Sequence, residues 1–384
     1  MGAQTQLQPG LEGVVAAETR LSHVDGEGGR LTIAGFPVET LAARAGFEEV
    51  VHLLWHDRLP DADELGAFQT SLAEARAIPS ATLELLRAAA ARGVAPMDAL
   101  QMAAGTLRLE VPAPGEPLDE ARLLVAALPT IVAAYWRMLN GREPVAPDPR
   151  LSHAANYLWM LTGRAPSDAA ARALETYLNA VVDHGLNAST FTARVIVSTR
   201  SDMLSAVAGA LGALKGPLHG GAPGPALETV FAIGAPERAE PVLRAQLARG
   251  ERLMGFGHRI YKVRDPRALV LQEAAARLYA DGGDRALYEL ALHVEGTALA
   301  LLAEHKPGAR LQTNVEFYTA LLLHGLGLDT ALFTPTFAVG RVAGWTAHAL
   351  EQLAHNRLFR PQSAYVGAEG REWPERQGEP APTR

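Results

Sequence analysis

Two glycine-rich segments in the second half of the chain each hold one histidine. Residues 214–222 contain His219, and residues 254–262 contain His258. Glycine at this density costs backbone entropy and is most useful where a chain turns sharply or approaches a ligand closely. A histidine in such a turn is able to point into a cleft, where it donates hydrogen bonds or carries protons. We therefore predict a functional role for His219 and His258.

Other histidines and metal motifs give no comparable signal. A lone histidine on a helix is more often packed or solvated than catalytic. Seven histidines stay under that interpretation: His52, His56, His293, His305, His324, His348 and His355. The chain has no cysteine and no His-Glu-x-x-His motif, so thiolate chemistry is excluded and a metal site has no support from spacing.

Cationic side chains crowd the two histidine segments. Only three of the 35 basic residues are lysines, and two of these, Lys215 and Lys262, fall in the segments. Arg259, Arg264 and Arg267 lie in or beside the second. This cluster is either a solvated helix end or an anion site, since guanidinium groups hold carboxylates and phosphates bidentately. Neither segment has the spacing of a nucleotide P-loop or a dinucleotide fingerprint.

The composition is that of a globular protein and gives no support for a nucleic-acid partner. The 384 residues are 48% hydrophobic and 20% charged, with a formal net charge of −7. Proteins that bind duplexes depend on neutralising phosphates, so an acidic balance argues against that class. Residues 1–10 lack the basic and apolar regions of a secretory signal, and we expect a cytoplasmic protein.

The pattern of apolar residues predicts the elements that must position these side chains. From Thr40 onward, apolar residues recur at three- and four-residue steps, as amphipathic helices require. The apolar stretch at 123–136 contains Pro129 and is shorter than the roughly 20 residues that cross a bilayer, so it predicts a buried core helix. A glycine-rich acidic turn at 25–29 predicts a small hairpin. The expected fold is mainly α with an N-terminal β-ribbon.

Four segments resemble the successive signature segments of the citrate synthase family, in the same order and at the same spacing. They are residues 214–222, 255–267, 314–318 and 333–345. The resemblance begins at Gly10 and continues to Gly367, and thus covers nearly the whole chain. Several long motifs in register are far more specific than one short pattern.

The resemblance implies a two-domain helical homodimer. Its large domain, which forms the dimer, would comprise residues 1–220 and 328–384, and a small mobile domain would comprise residues 221–327. The implied reaction is a Claisen-type condensation of acetyl-CoA with oxaloacetate, followed by thioester hydrolysis to citrate and CoA. It needs no metal or redox cofactor, and neither a nucleic acid nor a membrane is an implied partner.

Three residues match the catalytic positions of the family. His219 is expected to donate to the acetyl carbonyl oxygen, His258 to polarise the oxaloacetate ketone, and Glu316 to remove the proton. The motif at 314–316 usually ends in aspartate, and here it ends in glutamate. The extra reach of about 1 Å is expected to lower the rate by up to about a hundredfold if the backbone does not compensate.

Further positions match the substrate-binding groups of the family. Those for the oxaloacetate carboxylates are His184, Arg267, Arg341 and Arg360. In the family the last of these reaches across from the partner subunit, which would complete the active site only in the dimer. Those expected near the CoA phosphates and adenine are Arg259, Lys262 and Arg264.

Three alternatives to a citrate synthase stay open at this point. A 2-methylcitrate synthase would use propionyl-CoA with the same catalytic residues, and one methylene is worth only about 1 to 3 kcal/mol of discrimination. A noncatalytic ligand-binding paralogue is motivated by the altered carboxylate at Glu316. A helical scaffold without a small ligand is disfavoured by the paired histidine turns.

Overall fold

The computed structural model describes residues 7–110, 115–220, 223–258, 260–371 and 373. The chain divides into two compact units. The smaller comprises Met1–Glu18 and Phe359–Arg384, and the larger comprises Thr19–Leu358. All of the helices and strands considered below belong to the larger unit. Its described part is mainly helical with one small sheet, so the predicted fold class is confirmed.

The only sheet in the described residues is a three-stranded antiparallel ribbon. It comprises β1 (Ser22–Asp25), β2 (Arg30–Ile33) and β3 (Phe36–Pro37) in that order. The predicted hairpin is the pair β1 and β2, with Asp25 opposite Arg30 at the turn. Gly29 has a φ of +63°, a conformation that glycine adopts without steric cost. The glycine-rich turn therefore follows from the sequence.

Sixteen α-helices follow the ribbon within the described residues. They are α1 (Val38–Arg44), α2 (Phe47–His56), α3 (Ala62–Glu74), α4 (Ser80–Ala90), α5 (Pro96–Thr106), α6 (Pro117–Leu139), α7 (His153–Thr162), α8 (Asp168–Val181), α9 (Ala188–Ser198), α10 (Met203–Leu214), α11 (Pro223–Ile233), α12 (Pro236–Ala248), α13 (Pro266–Ala280), α14 (Arg285–His305), α15 (Val315–Gly325) and α16 (Phe333–Ala354). Asparagine, aspartate or serine side chains cap the N-termini of several of them, as at Asn187 and Asn314.

Helix α6 is the buried core helix that the apolar stretch at 123–136 predicts. Its residues from Leu124 to Tyr135 are all buried. By length and composition alone, α6 and α14 would pass as membrane spans, but core helices pass the same test, and two-thirds of the apolar window of α6 is buried inside the fold. The interior Pro129 is accommodated within this helix.

Helix α16 crosses the C-terminal end of α8 at very short distance. A Cβ atom on Gly344 would lie 2.2 Å from the Val182 carbonyl oxygen, and one on Gly340 would lie 3.1 Å from the Leu178 carbonyl oxygen. Glycine at both positions therefore permits the two backbones to touch. The crossing brings Arg341 of α16 beside the segment that follows α8.

The predicted small domain at 221–327 stays a prediction. Within the larger unit, α13 of that segment packs against both α15 and α8. The proposed boundary residue Gly221 lies outside the described residues.

We predict that Gly344→Ala destabilises the protein because the new methyl group overlaps a backbone carbonyl. The free energy of unfolding should fall by about 2 to 3 kcal/mol, as overpacked sites do. Gly66→Ala is the matched control. A methyl group added to Gly66, within α3, would meet no atom within 4 Å. This change should therefore raise the free energy of unfolding by up to about 1 kcal/mol, because alanine has the higher helix propensity. Urea unfolding of both variants measures the difference, and equal effects would contradict the role given to the crossing.

Candidate active site

His219 lies in a tight turn that follows α10. A Cβ atom on Gly220 would lie 2.5 Å from the Leu214 carbonyl oxygen, so only glycine fits there. The Nε2 atom of His219 lies 2.8 Å from Ser189 Oγ at the start of α9. Burial and the nearby Arg341 charge lower the pKa of His219 to about 4. The ring is therefore neutral near pH 7 and held in one orientation.

His258 is fixed by the backbone of the residues that follow it. Its Nδ1 atom accepts hydrogen bonds from the N–H groups of Ile260 and Tyr261, at 3.0 and 3.1 Å. Burial and the Arg267 charge lower the pKa of His258 to about 4. Because a neutral imidazole has one proton and Nδ1 is an acceptor, the proton is on Nε2. His258 thus presents an N–H donor.

His184 follows α8 and lies against the second histidine segment. Its Nε2 atom is 3.0 Å from the Tyr261 hydroxyl, and its ring centroid is 5.9 Å from that of His258. Burial, with the charges of Arg267 and Arg341, holds the pKa of His184 well below its ordinary value. The fold therefore brings together histidines that are far apart in the sequence.

A buried polar network supports the segment that carries His184. The preceding residue, Asp183, lies 3.1 Å from His348 Nε2, and Arg194 Nη1 lies 3.0 Å from His348 Nδ1. Arginine only donates, so His348 accepts at Nδ1 and donates its Nε2 proton to Asp183. Helical periodicity alone gives no sign of this role. The available signals are the position of Asp183 beside His184 and the spacing of seven residues between His348 and Arg341.

Glu316 lies in the first turn of α15, where the Asn314 side chain caps the helix by accepting the Glu316 N–H at 3.0 Å. Burial raises the pKa of Glu316 to about 7, although the positive charge of Arg267 opposes the shift and Asp265 adds to it. Within the described residues no hydrogen-bond partner reaches the carboxylate. A carboxyl group that changes protonation near pH 7 is suited to act as a general base.

Asp265 connects Arg267 to the start of the helix that carries Glu316. The Asp265 carboxylate accepts from Arg267 Nε at 3.0 Å and from Arg267 Nη2 at 2.7 Å. It also accepts the N–H of Val315 at the start of α15, at 3.3 Å. Arg267 is buried, and this bidentate pair compensates its charge. The pair also fixes the position of the helix that carries Glu316.

Arg341 is buried with no ion pair in the described part of the chain. Its Nε atom donates to the Val181 carbonyl oxygen at 2.6 Å, and its guanidinium carbon lies 4.6 Å from the centre of the Phe337 ring. Burial lowers the pKa of Arg341 to about 10. The charge of the buried Asp183 carboxylate opposes part of this shift, although the two groups form no ion pair. A buried cation that is not directly paired is costly. An anionic ligand would supply the compensating charge.

The remaining predicted binding residues lie in different surroundings. Arg264 donates to Gln272 at 2.8 Å and pairs with Glu295 at 3.4 Å. Lys262 is exposed, and Arg259 lies outside the described residues. Arg360 belongs to the smaller unit, where its Nη1 donates to the Pro361 carbonyl oxygen at 3.0 Å. Within the larger unit the structure thus brings together His184, His219, His258, Arg267, Arg341 and Glu316.

Condensing a carbon acid with a ketone that carries carboxylates requires hydrogen-bond donors for the carbonyl oxygens, a base, and cations for the carboxylates. Buried or half-buried groups of each kind are present. The fold and site define an enzyme that transfers an acyl group in a condensation and converts it to an alkyl group. The family model described as "Citrate synthase, C-terminal domain" matches residues 10–362. The chain belongs to the citrate synthase family.

Relatives named citrate synthase and relatives named 2-methylcitrate synthase match the chain at similar sequence identity. "Citrate synthase 2" of Bacillus subtilis (strain 168) is 42% identical, over 93% of this chain and 95% of its own length. A "2-methylcitrate synthase" of Mycobacterium tuberculosis is 40% identical, over 96% of this chain and 92% of its own. The crystal structure of citrate synthase from Pyrobaculum aerophilum has a TM-score of 0.86 and 37% identity, and covers 95% of this chain and 93% of that chain.

We predict that Glu316→Gln stabilises the protein at alkaline pH. The folded state retains the Glu316 proton up to a pKa of about 7, whereas the ordinary value is 4.5. Folding is therefore disfavoured progressively as the pH rises between these values. Because the side chain is partly exposed, we expect a gain of about 1 to 2 kcal/mol at about pH 8 and a smaller gain at about pH 5.

Urea unfolding at both pH values measures this change. Glu273→Gln on the exposed face of α13 is the control for loss of one carboxylate, and it should show no such dependence on pH. A gain for Glu316→Gln that is the same at both pH values would contradict the raised pKa.

Proposed function

We propose that the chain is a citrate synthase that condenses acetyl-CoA with oxaloacetate and hydrolyses the resulting thioester to citrate and CoA. The observation that carries this proposal is the Glu316 carboxyl group, with its pKa of about 7, beside a buried arginine. A base with that pKa is half ionised near neutral pH, where proton removal next to a thioester carbonyl must proceed. The match to family members of this name supports the same reaction.

The first step is proton transfer from the acetyl methyl group to Glu316. As the proton leaves, negative charge develops on the thioester carbonyl oxygen, and His219 donates a hydrogen bond to it. His219 is neutral and Ser189 engages its Nε2 atom. Ser189 Oγ also lies 2.8 Å from Asn187 Oδ1. In this role its single proton is given to His219 Nε2 instead, which leaves the proton of His219 on Nδ1.

The second step is attack of the acetyl carbon on the ketone of oxaloacetate. The Nε2–H of His258 donates to the ketone oxygen and makes its carbon electrophilic. The same bond stabilises the alkoxide that forms. The backbone amides that hold His258 Nδ1 support this assignment, because they fix which nitrogen carries the proton. Water then hydrolyses the thioester and releases CoA.

Cationic groups bind the carboxylates of oxaloacetate in this proposal. Arg341 is buried and forms no ion pair among the described residues, and its charge and that of Arg267 both act on His184. Arg360 completes the site from the partner subunit of a homodimer. Arg259, Lys262 and Arg264 bind CoA, for which Arg264 exchanges its pairing with Glu295. The enzyme needs no cofactor, and its place is the tricarboxylic acid cycle in the cytoplasm.

A second candidate is a 2-methylcitrate synthase, which would accept propionyl-CoA. The similar identity of the M. tuberculosis relative of that name favours keeping it. The two substrates differ by one methylene, and a pocket distinguishes such a pair by about 1 to 3 kcal/mol. Comparison of kcat/KM for acetyl-CoA and propionyl-CoA decides between them. A higher value with propionyl-CoA would overturn the first candidate.

We predict that thiol release on mixing acetyl-CoA with oxaloacetate rises as the pH passes about 7, because Glu316 must be ionised to act as the base. Glu316→Gln should abolish this release, with a loss of at least about a thousandfold. The exposed Glu273→Gln serves as the control and should retain full activity. A Glu316→Gln enzyme with normal turnover would refute the assigned base.

We predict that Arg360→Ala raises the oxaloacetate KM and that the defect is complemented between subunits. If Arg360 acts across a dimer, a heterodimer of Arg360→Ala and Glu316→Gln chains has one site with both native residues. Co-expression with two different tags should then yield heterodimers with about half the activity of the wild-type dimer. No recovery in the purified heterodimer would show that Arg360 does not act across the dimer.

A further inference from the structure

Tyr261 connects the two histidines that the proposed function assigns to oxaloacetate. Its hydroxyl lies 3.0 Å from His184 Nε2, and its backbone N–H donates to His258 Nδ1 at 3.1 Å. The Tyr261 ring centroid is 4.8 Å from that of His258 and 5.6 Å from that of His184. The side chain is 2% exposed. One residue thus contacts both rings, through its backbone on one side and its hydroxyl on the other.

The same hairpin supports both ends of this connection. Next to Tyr261, the N–H of Lys262 donates to the Gly26 carbonyl oxygen in the turn between β1 and β2, at 2.9 Å. Next to His184, the N–H of Gly185 donates to Ser22 Oγ on β1, at 2.9 Å. The hairpin therefore fixes the backbone of the Tyr261 segment relative to that of the His184 segment. The Tyr261 hydroxyl adds a hydrogen bond between the side chains of the two segments.

The hydrogen bond between Tyr261 and His184 joins two groups that are uncharged throughout the neutral pH range. Burial raises the pKa of Tyr261, so the hydroxyl keeps its proton throughout the neutral range. His184 is neutral over the same range. The Arg267 guanidinium carbon lies 6.0 Å from the centre of the Tyr261 ring. The bridge holds the His184 ring in place without carrying charge into a site that must accept a dianion.

We propose that Tyr261 is a positioning residue for oxaloacetate binding: its hydroxyl fixes the orientation of His184 relative to His258. It acts through these two histidines and does not contact the reacting atoms. Without the hydroxyl, His184 Nε2 loses its partner, and the hydrogen bond of the ring to the backbone of His184 itself restrains its orientation less tightly. This inference rests on the proposed function for the identity of the ligand.

The test compares Tyr261→Phe with Tyr279→Phe. The first change removes only the bridging hydroxyl. The second removes a buried hydroxyl that donates to the Leu321 carbonyl oxygen at 2.9 Å, remote from the histidines. Tyr261→Phe should raise the oxaloacetate KM and the oxaloacetate Kd measured by calorimetry by about three- to tenfold, the effect of one lost hydrogen bond. The acetyl-CoA KM should change less than about twofold, as should both constants in Tyr279→Phe.

A double-mutant cycle shows whether the effect passes through His184. In a His184→Gln background, Tyr261→Phe should add less than about twofold to the oxaloacetate Kd, because the group that it positions is gone. An unchanged oxaloacetate Kd in the single variant would overturn the proposal. So would an equal rise in both KM values, or full additivity with His184→Gln.

The two proposals fail in different ways. If the wild-type enzyme binds oxaloacetate in the calorimeter but releases no thiol with acetyl-CoA or propionyl-CoA, the proposed reaction is wrong and the binding test of Tyr261 still applies. If the wild-type enzyme is active and Tyr261→Phe binds oxaloacetate normally, the positioning role alone is wrong.

Discussion

The site contains two buried arginines, Arg267 and Arg341, whose positive charges interact. Their burial is the constraint on which the rest of the site depends. Burial lowers the pKa of Arg341 to about 10, and the charge of Arg267 contributes to the same shift. Asp265 forms an ion pair with Arg267, whereas Arg341 has no ion pair in the described residues and is acted on by the Asp183 charge without direct pairing. Burial lowers the pKa of the surrounding imidazoles and the arginine charges lower it further, so the rings are neutral near pH 7. Neutral imidazoles are also the form in which histidine donates one defined hydrogen bond.

The positive charge of Arg267 and burial shift the pKa of Glu316 in opposite directions. Removal from water raises its pKa and Arg267 lowers it, and the balance lies near neutrality. A glutamate in place of the family's usual aspartate thus keeps a pKa suited to a base. Its extra methylene changes its reach, and the helix cap at Asn314 fixes the backbone from which that reach is measured.

Close backbone contacts hold these charges in place. Gly340 and Gly344 allow α16 to touch the end of α8, which brings Arg341 to the Val181 carbonyl oxygen. On the other side, the turn of the β-hairpin accepts a hydrogen bond from Lys262 and supports the loop after His258. The β-ribbon therefore has a structural role in this helical protein. Its hydrogen bonds fix the segment after His258 and the segment after His184 in position relative to each other.

The sequence by itself determined the helical class, the hairpin at Gly29, the core helix around Pro129 and the family, because periodicity, turn residues and ordered motifs are local features of the chain. It also pointed to His219 and His258, since glycine marks where a chain must turn tightly. Only the tertiary structure decided that Tyr261 bridges His184 and His258, that His348 supports Asp183, and that Arg264 pairs with Glu295. These contacts join residues from different elements, and hydrogen bonding and burial depend on distances that no local pattern encodes.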